Sequence, residues 1–407
     1  MRRLAGRFLI LLFLPLAGAC AGEGAASISL EAIVDTIGGI EHLHYPETGA
    51  TELPWHFDTV AVIGGFNVDD PDYQFSRVGR YGLTSDGAGN LYVLDGQGHR
   101  IIGYAATGEI IGTWGREGEG PGEIGGWGGV LAMGPGDTLW LADRSNQRIT
   151  LFPTPGGDAA SIPMGEGSSG FGGRLIATPD GALSLMSSFS FTPGENAQMP
   201  PRPVVRIDRD GTVTDTLWTV PAPRTDVVTV TSGNNTMMML MSRRFSPNFS
   251  YARLSDGRLV KQDLADYDVR MMDPDGTVRR VIQRDPPPRA TTEADRQREI
   301  DEVLEPADDR DADMQRKQAD AMTFEETIPV INRLEVDHTD RIWVSVSETI
   351  PDEDERLDVY SADGRLLGEL RGVELPDLFF GDGYAAVLTR DDLEVEQIVI
   401  LRLVEEE

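Results

Sequence analysis

A single cysteine, Cys20, in 407 residues rules out any intramolecular disulfide. Lysine is nearly as scarce: Lys261 and Lys317 are the only two among 36 basic residues, and arginine supplies the rest. Acidic residues number 67, so the formal net charge is −31. Such a surface repels phosphate backbones over a Debye length of roughly 8–10 Å, which excludes nucleic acid as a partner. Histidines are few as well. His42, His44, His56, His99 and His338 form no H-E-x-x-H, and the chain has no G-x-S-x-G, so neither a zinc hydrolase nor a serine hydrolase finds support. His42 and His44 could reach one metal from an extended strand, but with no third ligand nearby they read as part of a surface or docking segment.

Long apolar runs are also missing. The one marked stretch, residues 8–16, is too short to span a bilayer; Arg2, Arg3 and Arg7 precede it and small residues follow it up to Ala19 and Cys20. This order of charged, apolar and small residues marks residues 1–19 as an export signal. LAGAC (16–20) resembles the lipobox of bacterial lipoproteins, which implies that Cys20 receives a lipid and becomes the first residue of the mature chain. The expected address is therefore the bacterial cell envelope, as an outer-membrane lipoprotein held through its anchor. A periplasmic or secreted protein is the alternative, because Ala17-Gly18-Ala19 also fits simple cleavage. Residues 20–55 show no clear period and read as a tether.

What the chain does have is glycine, 46 residues of it, with 25 prolines and short strand-like runs. That composition favours an all-β chain rich in turns. The runs also repeat. GNLYVLD (89–95) aligns with GDTLWLAD (136–143), and weaker copies follow at 181–186, 257–263, 340–346 and 383–388. These six runs read as the inner strands of six four-stranded blades. Third strands follow them, and three close on an Asp-Gly pair, Asp210-Gly211, Asp275-Gly276 and Asp363-Gly364, as expected of two-residue hairpin turns.

Two intervals are too long for a blade alone. One contains a hairpin-like stretch within 221–248; the other, about 292–326, loses the strand pattern and reads as a short helical insertion packing on its own domain. The last blade is a strand short, and the run at 56–65 has no blade of its own. Supplying that strand from the N-terminus closes the ring and removes its free edges. The expected fold is thus all-β, a six-bladed β-propeller over residues 56–404, closed by an N-terminal strand.

The stretch at 75–125, with GNLYVLD, HRII and the GEGPGE series, and its recurrence in LADRSNQRITLF (141–152), resembles the bacterial six-bladed propellers related to NHL repeats. The resemblance implies the fold more strongly than any activity. Within it, TWGREGEGPGEIGG (113–126) contains G-x-G-x-x-G at Gly120, Gly122 and Gly125. A dinucleotide fingerprint needs a helix next, whereas here Gly126 and Trp127 follow, and Glu117, Glu119 and Glu123 would repel a phosphate. The loop reads as the crossing between two blades.

Asp95, His99 and Arg100 recur in the next repeat as Asp143, Asn146 and Arg148. One reading makes them a ligand rim on one face of the ring. The other makes them a repeat device in which the aspartate caps a turn and the arginine pairs locally. Two functions follow: an anchored binding propeller for a peptide, glycan or protein, or a metal-dependent hydrolase or lyase with a divalent ion in the central channel, as gluconolactonase-type propellers imply. No cofactor, metal ligand set or catalytic residue is identified, and whether the protein is an enzyme stays open.

Overall fold

The computed structural model describes residues 30–66, 73–126, 129–164, 171–186, 200–222, 224–232, 235–285, 287–304, 312–347 and 356–406. The expected export signal and Cys20 lie outside these residues.

Six antiparallel sheets of four blade strands make up the ring. Blade 1 consists of Leu83–Ser85, Leu91–Asp95, Arg100–Tyr104 and Ile110–Trp114; blade 2 of Gly129–Gly134, Thr138–Asp143, Arg148–Pro153 and Ala160–Pro163. Blade 3 is Phe171–Thr178, Gly181–Met186, Arg202–Asp208 and Val213–Val220, and blade 4 is Ser250–Arg253, Leu259–Gln262, Asp268–Met272 and Val278–Arg284. Blade 5 is Ile331–Val336, Ile342–Val346, Arg356–Tyr360 and Leu366–Arg371; blade 6 is Leu378–Phe380, Tyr384–Arg390, Glu396–Glu405 and, from the N-terminus, Trp55–Gly64. The first strand of every blade touches the first strand of both neighbours, so the ring is closed.

The closing strand is the outermost of blade 6, running antiparallel to Glu396–Glu405 from Trp55 opposite Glu405 to Gly64 opposite Gln397. Its aromatic residues lock it to blade 5. Trp55 and Phe57 lie 6.0 and 6.2 Å from the fully buried Trp343, and the Arg341 guanidinium sits 4.7 Å over Trp55.

The repeated runs are the second strands of the blades, not the innermost ones. A second strand has a partner on each side and neighbouring blades over both faces, so every residue of Leu91–Asp95 and Ile342–Val346 is buried and the apolar pattern is dense. First strands line the channel and carry a mixed pattern that is harder to recognise. The Asp-Gly turns differ in type as well. Gly276 (φ +85°) donates its N–H to Asp273 at 2.9 Å while Asp273 donates to Thr277 at 2.9 Å, and the ladder slips between Met271 and Met272. This is a type I turn followed by a one-residue bulge, which needs a positive φ only at the glycine.

The expectation of a tether is corrected over residues 33–53. Ile33–Ile37 and Ile40–Tyr45 form a hairpin whose second strand runs parallel to Val278–Arg284, extending blade 4 to six strands. Alternation explains the docking: Leu43 and Tyr45 are buried, while His42 and His44 face away beside Gln283 and Asp285. Thr51 and Leu53 then bond to both backbone groups of Glu369 on the edge of blade 5. The N-terminal segment is therefore a belt across blades 4, 5 and 6.

Two insertions rise from the same end of the ring. Thr225–Ser232 and Asn235–Ser242 form a hairpin between blades 3 and 4. Helices α1 (Glu293–Leu304) and α2 (Ala312–Asp320) lie between blades 4 and 5, within the segment expected to be helical. Thr292 and Asp295 cap α1 reciprocally, the Thr292 N–H donating to Asp295 at 2.8 Å and the Asp295 N–H to Thr292 at 3.3 Å.

Candidate functional site

The six residues of the expected rim lie at turns between second and third strands, at the same end of the ring as the insertions, and each is engaged within the chain. Asp95 accepts from the N–H groups of Ser76 and Gly98 and from Arg100, at 3.2, 2.8 and 3.1 Å. Asp143 accepts from the N–H groups of Gly125, Ser145 and Asn146. The carbonyl of Ile124 lies 3.1 Å from His99 Nδ1. Asn146 donates to Gly118, and Arg148 donates to the carbonyls of Glu119, Gly120 and Glu123. The glycine-rich loop thus turns its carbonyls toward an arginine, the reverse of a phosphate cradle, and Gly120 spends its N–H on Glu123 at 2.7 Å.

The central channel widens to a cavity of about 290 Å³ walled by first strands of all six blades. Two ion pairs are built into its wall, while Arg80 and Arg253 line it without a carboxylate partner among the described residues. Arg174 holds both oxygens of Glu335, and Arg333 donates to Asp377 at 2.8 Å. Burial opposes the Arg174 charge, but Glu335 outweighs it and holds the guanidinium above its ordinary value. A divalent ion needs several oxygen donors free of competing cations. Among the described residues no three His, Cys, Asp or Glu side chains gather, and the two channel carboxylates each carry an arginine, so the donor set does not fit a channel metal.

A second concave region lies outside the channel. Two adjoining cavities, of about 540 and 400 Å³, open between blades 3 and 4 beneath the insertions. Arg202 and the loop residues Phe245, Ser246, Pro247 and Phe249 line both. The loop is fixed from two sides. Arg244 exchanges backbone hydrogen bonds with Thr323 and Glu325, at 2.8 and 3.0 Å, and Phe249 stacks on the buried Tyr251 at 5.2 Å. The insertions are tied to each other by Asp226, which accepts from Arg243 on one side and from Thr323 on the other. Their concave wall comes from these contacts.

Several charged groups of this crevice are paired within the chain, and Glu326 also lines the smaller cavity. Arg224 pairs with Glu325 at 3.1 Å, Arg243 with Asp226 at 3.0 Å and Arg244 with Glu299 at 3.5 Å. Arg202 has no carboxylate partner among the described residues, and its Nε is buried without an acceptor. Burial lowers its affinity for the proton, with Tyr81 acting in the opposite sense. None of the six rim residues lines either cavity. Sequence reasoning passed over Arg202 because no motif surrounds it; what singles it out is a buried Nε without an acceptor and a place in the lining of both cavities.

No family model matches the chain, and no curated protein does. Solved structures do. A gluconolactonase from Xanthomonas campestris is 14% identical, covering 79% of this chain and 85% of its own, with a TM-score of 0.38. A virginiamycin B lyase from Staphylococcus aureus is 10% identical over 86% of this chain and all of its own, with a TM-score of 0.40. A member of the DUF4221 family from Bacteroides vulgatus is 10% identical over 88% of this chain and all of its own, with a TM-score of 0.46. Likeness at this level carries no function across.

Proposed function

We propose that the protein is a binding propeller, anchored in the cell envelope through Cys20, whose ligand is an organic anion held in the crevice between blades 3 and 4. The observation that supports this reading is Arg202: a cation without a counter-ion among the described residues, in the shared wall of two cavities, on a chain with a net charge of −31. Leaving a buried guanidinium donor without a partner is costly, and an arriving carboxylate removes that cost. The apolar wall of Phe245, Pro247 and Phe249 suits an anion with an apolar body. The hydrolase reading needs a set of metal donors that the channel does not offer among the described residues.

Thermal unfolding of the full-length protein in detergent tests this, against small carboxylates, matched primary amines and matched neutral amides. Carboxylates should raise the melting temperature, and Arg202→Gln should abolish the effect. Equal stabilisation by all three classes would remove the proposal.

A further inference from the structure

The smaller cavity holds a second group without its partner. Asp263 lines it, and its side chain is only 6% exposed. One oxygen accepts from Lys261; the other, Oδ1, is buried with no donor among the described residues. Lys261 is itself buried, spans to Asp263 and lies 5.6 Å over the Trp218 ring, so it is fixed in place and its charge is matched. Asp263 therefore offers an acceptor more than a net negative charge. A buried acceptor of this kind is completed by an N–H or O–H group, not by a second cation.

Three features then share one cavity of about 400 Å³, within the range of ligand sites: a cation lacking an anion, an acceptor lacking a donor, and an apolar wall from Val220, Pro221, Phe245, Pro247 and Phe249. Glu325, paired with Arg224, and Glu326 line the same cavity, so the complementary ligand carries one carboxylate for Arg202, a neutral donor for Asp263 and an apolar side chain. Resting on the anion-site reading above, we propose that the crevice binds the C-terminal residue of a peptide or an N-acylated amino acid. The carboxylate sits on Arg202, the amide N–H on Asp263 Oδ1, and the side chain against Phe245, Pro247 and Phe249. Both sources present the same α-amido carboxylate.

Calorimetric titration of the full-length protein in detergent separates the parts of this proposal. The probes are N-acetyl-L-leucine, its N-methyl derivative, 4-methylpentanoate and N-acetyl-L-leucinamide, with a Gly-Gly-Leu tripeptide as the peptide arm. Loss of the N–H, by N-methylation or in 4-methylpentanoate, should weaken binding about tenfold or more, and loss of the carboxylate should abolish it. In the double variant Lys261→Met/Asp263→Ala, which removes both buried charges together, N-acetyl-L-leucine and its N-methyl derivative should bind alike. Tighter binding of the tripeptide assigns the peptide source; tighter binding of N-acetyl-L-leucine assigns the free acyl amino acid. If all carboxylates bind equally and depend only on Arg202, the anion site stands and this inference is overturned. If no carboxylate binds in an Arg202-dependent way, both are overturned.

Discussion

The hydroxyl of Tyr45 donates to the carbonyl of Gly364 at 3.1 Å and accepts the N–H of Leu366 at 3.1 Å, joining residues more than 300 positions apart. Tyr45 is 2% exposed, and its ring lies 5.9 Å from that of Tyr360. Tyr45→Phe keeps the ring but leaves a buried backbone N–H without an acceptor. The expected loss is about 1–3 kcal/mol, read from urea unfolding. An unchanged midpoint would mean that the belt is not seated on blade 5.

Truncation separates tether from belt. Deleting residues 21–29 should leave thermal unfolding unchanged. Deleting 21–47 removes the hairpin, uncovers the outer edge of blade 4 and takes away the carbonyls of Pro46 and Glu47 that accept from the buried Arg284. Deleting 21–66 also removes the closing strand and should lower the melting temperature most. Equal melting of the first and second truncations would contradict the belt; equal melting of the second and third would contradict the closure.

Acid should loosen the same region. Burial disfavours the Glu369 carboxylate, but hydrogen bonds from Arg284 and Arg371 outweigh it and hold the group below its ordinary value. A carboxylate depressed in the folded state contributes stability above its unfolded value, about 4.3, and that stability is lost as pH falls through the folded value. Glu369→Gln should therefore lower stability at neutral pH and flatten the decline below about pH 4.3. Parallel urea-midpoint profiles for the two proteins between neutral and acid pH would show that Glu369 does not contribute this way.

The proposed anchoring makes membrane attachment depend on one atom. Replacing the only thiol in the chain, Cys20→Ser, should move the protein from the membrane fraction to the soluble fraction, and mass spectrometry should find more than one acyl chain on the wild type, since one alone binds only marginally. An unmodified mature chain would end the anchoring proposal.

Legibility followed local density of pattern. Leu91–Asp95 and its repeats announce themselves because a second strand is apolar on both faces, and Trp55–Gly64 could be placed because blade 6 lacked a strand. The belt was hidden because IEHLHY offers only Leu43 and Tyr45 as inward residues and pairs with a strand more than 200 positions away. The crevice was hidden for a different reason. Arg202 and Asp263 are 61 positions apart in the sequence and belong to no motif, and what marks them is a partner each lacks after folding. Such a signal exists only in three dimensions.

The most direct test of the binding proposal is calorimetric titration of N-acetyl-L-leucine into wild-type protein and into Arg202→Gln at matched salt. The expected result is saturable one-to-one binding to the wild type, weakened by salt, and at least about a hundredfold loss in the variant, as expected when a buried charge-assisted pair is removed. Equal affinity for the two proteins would contradict it.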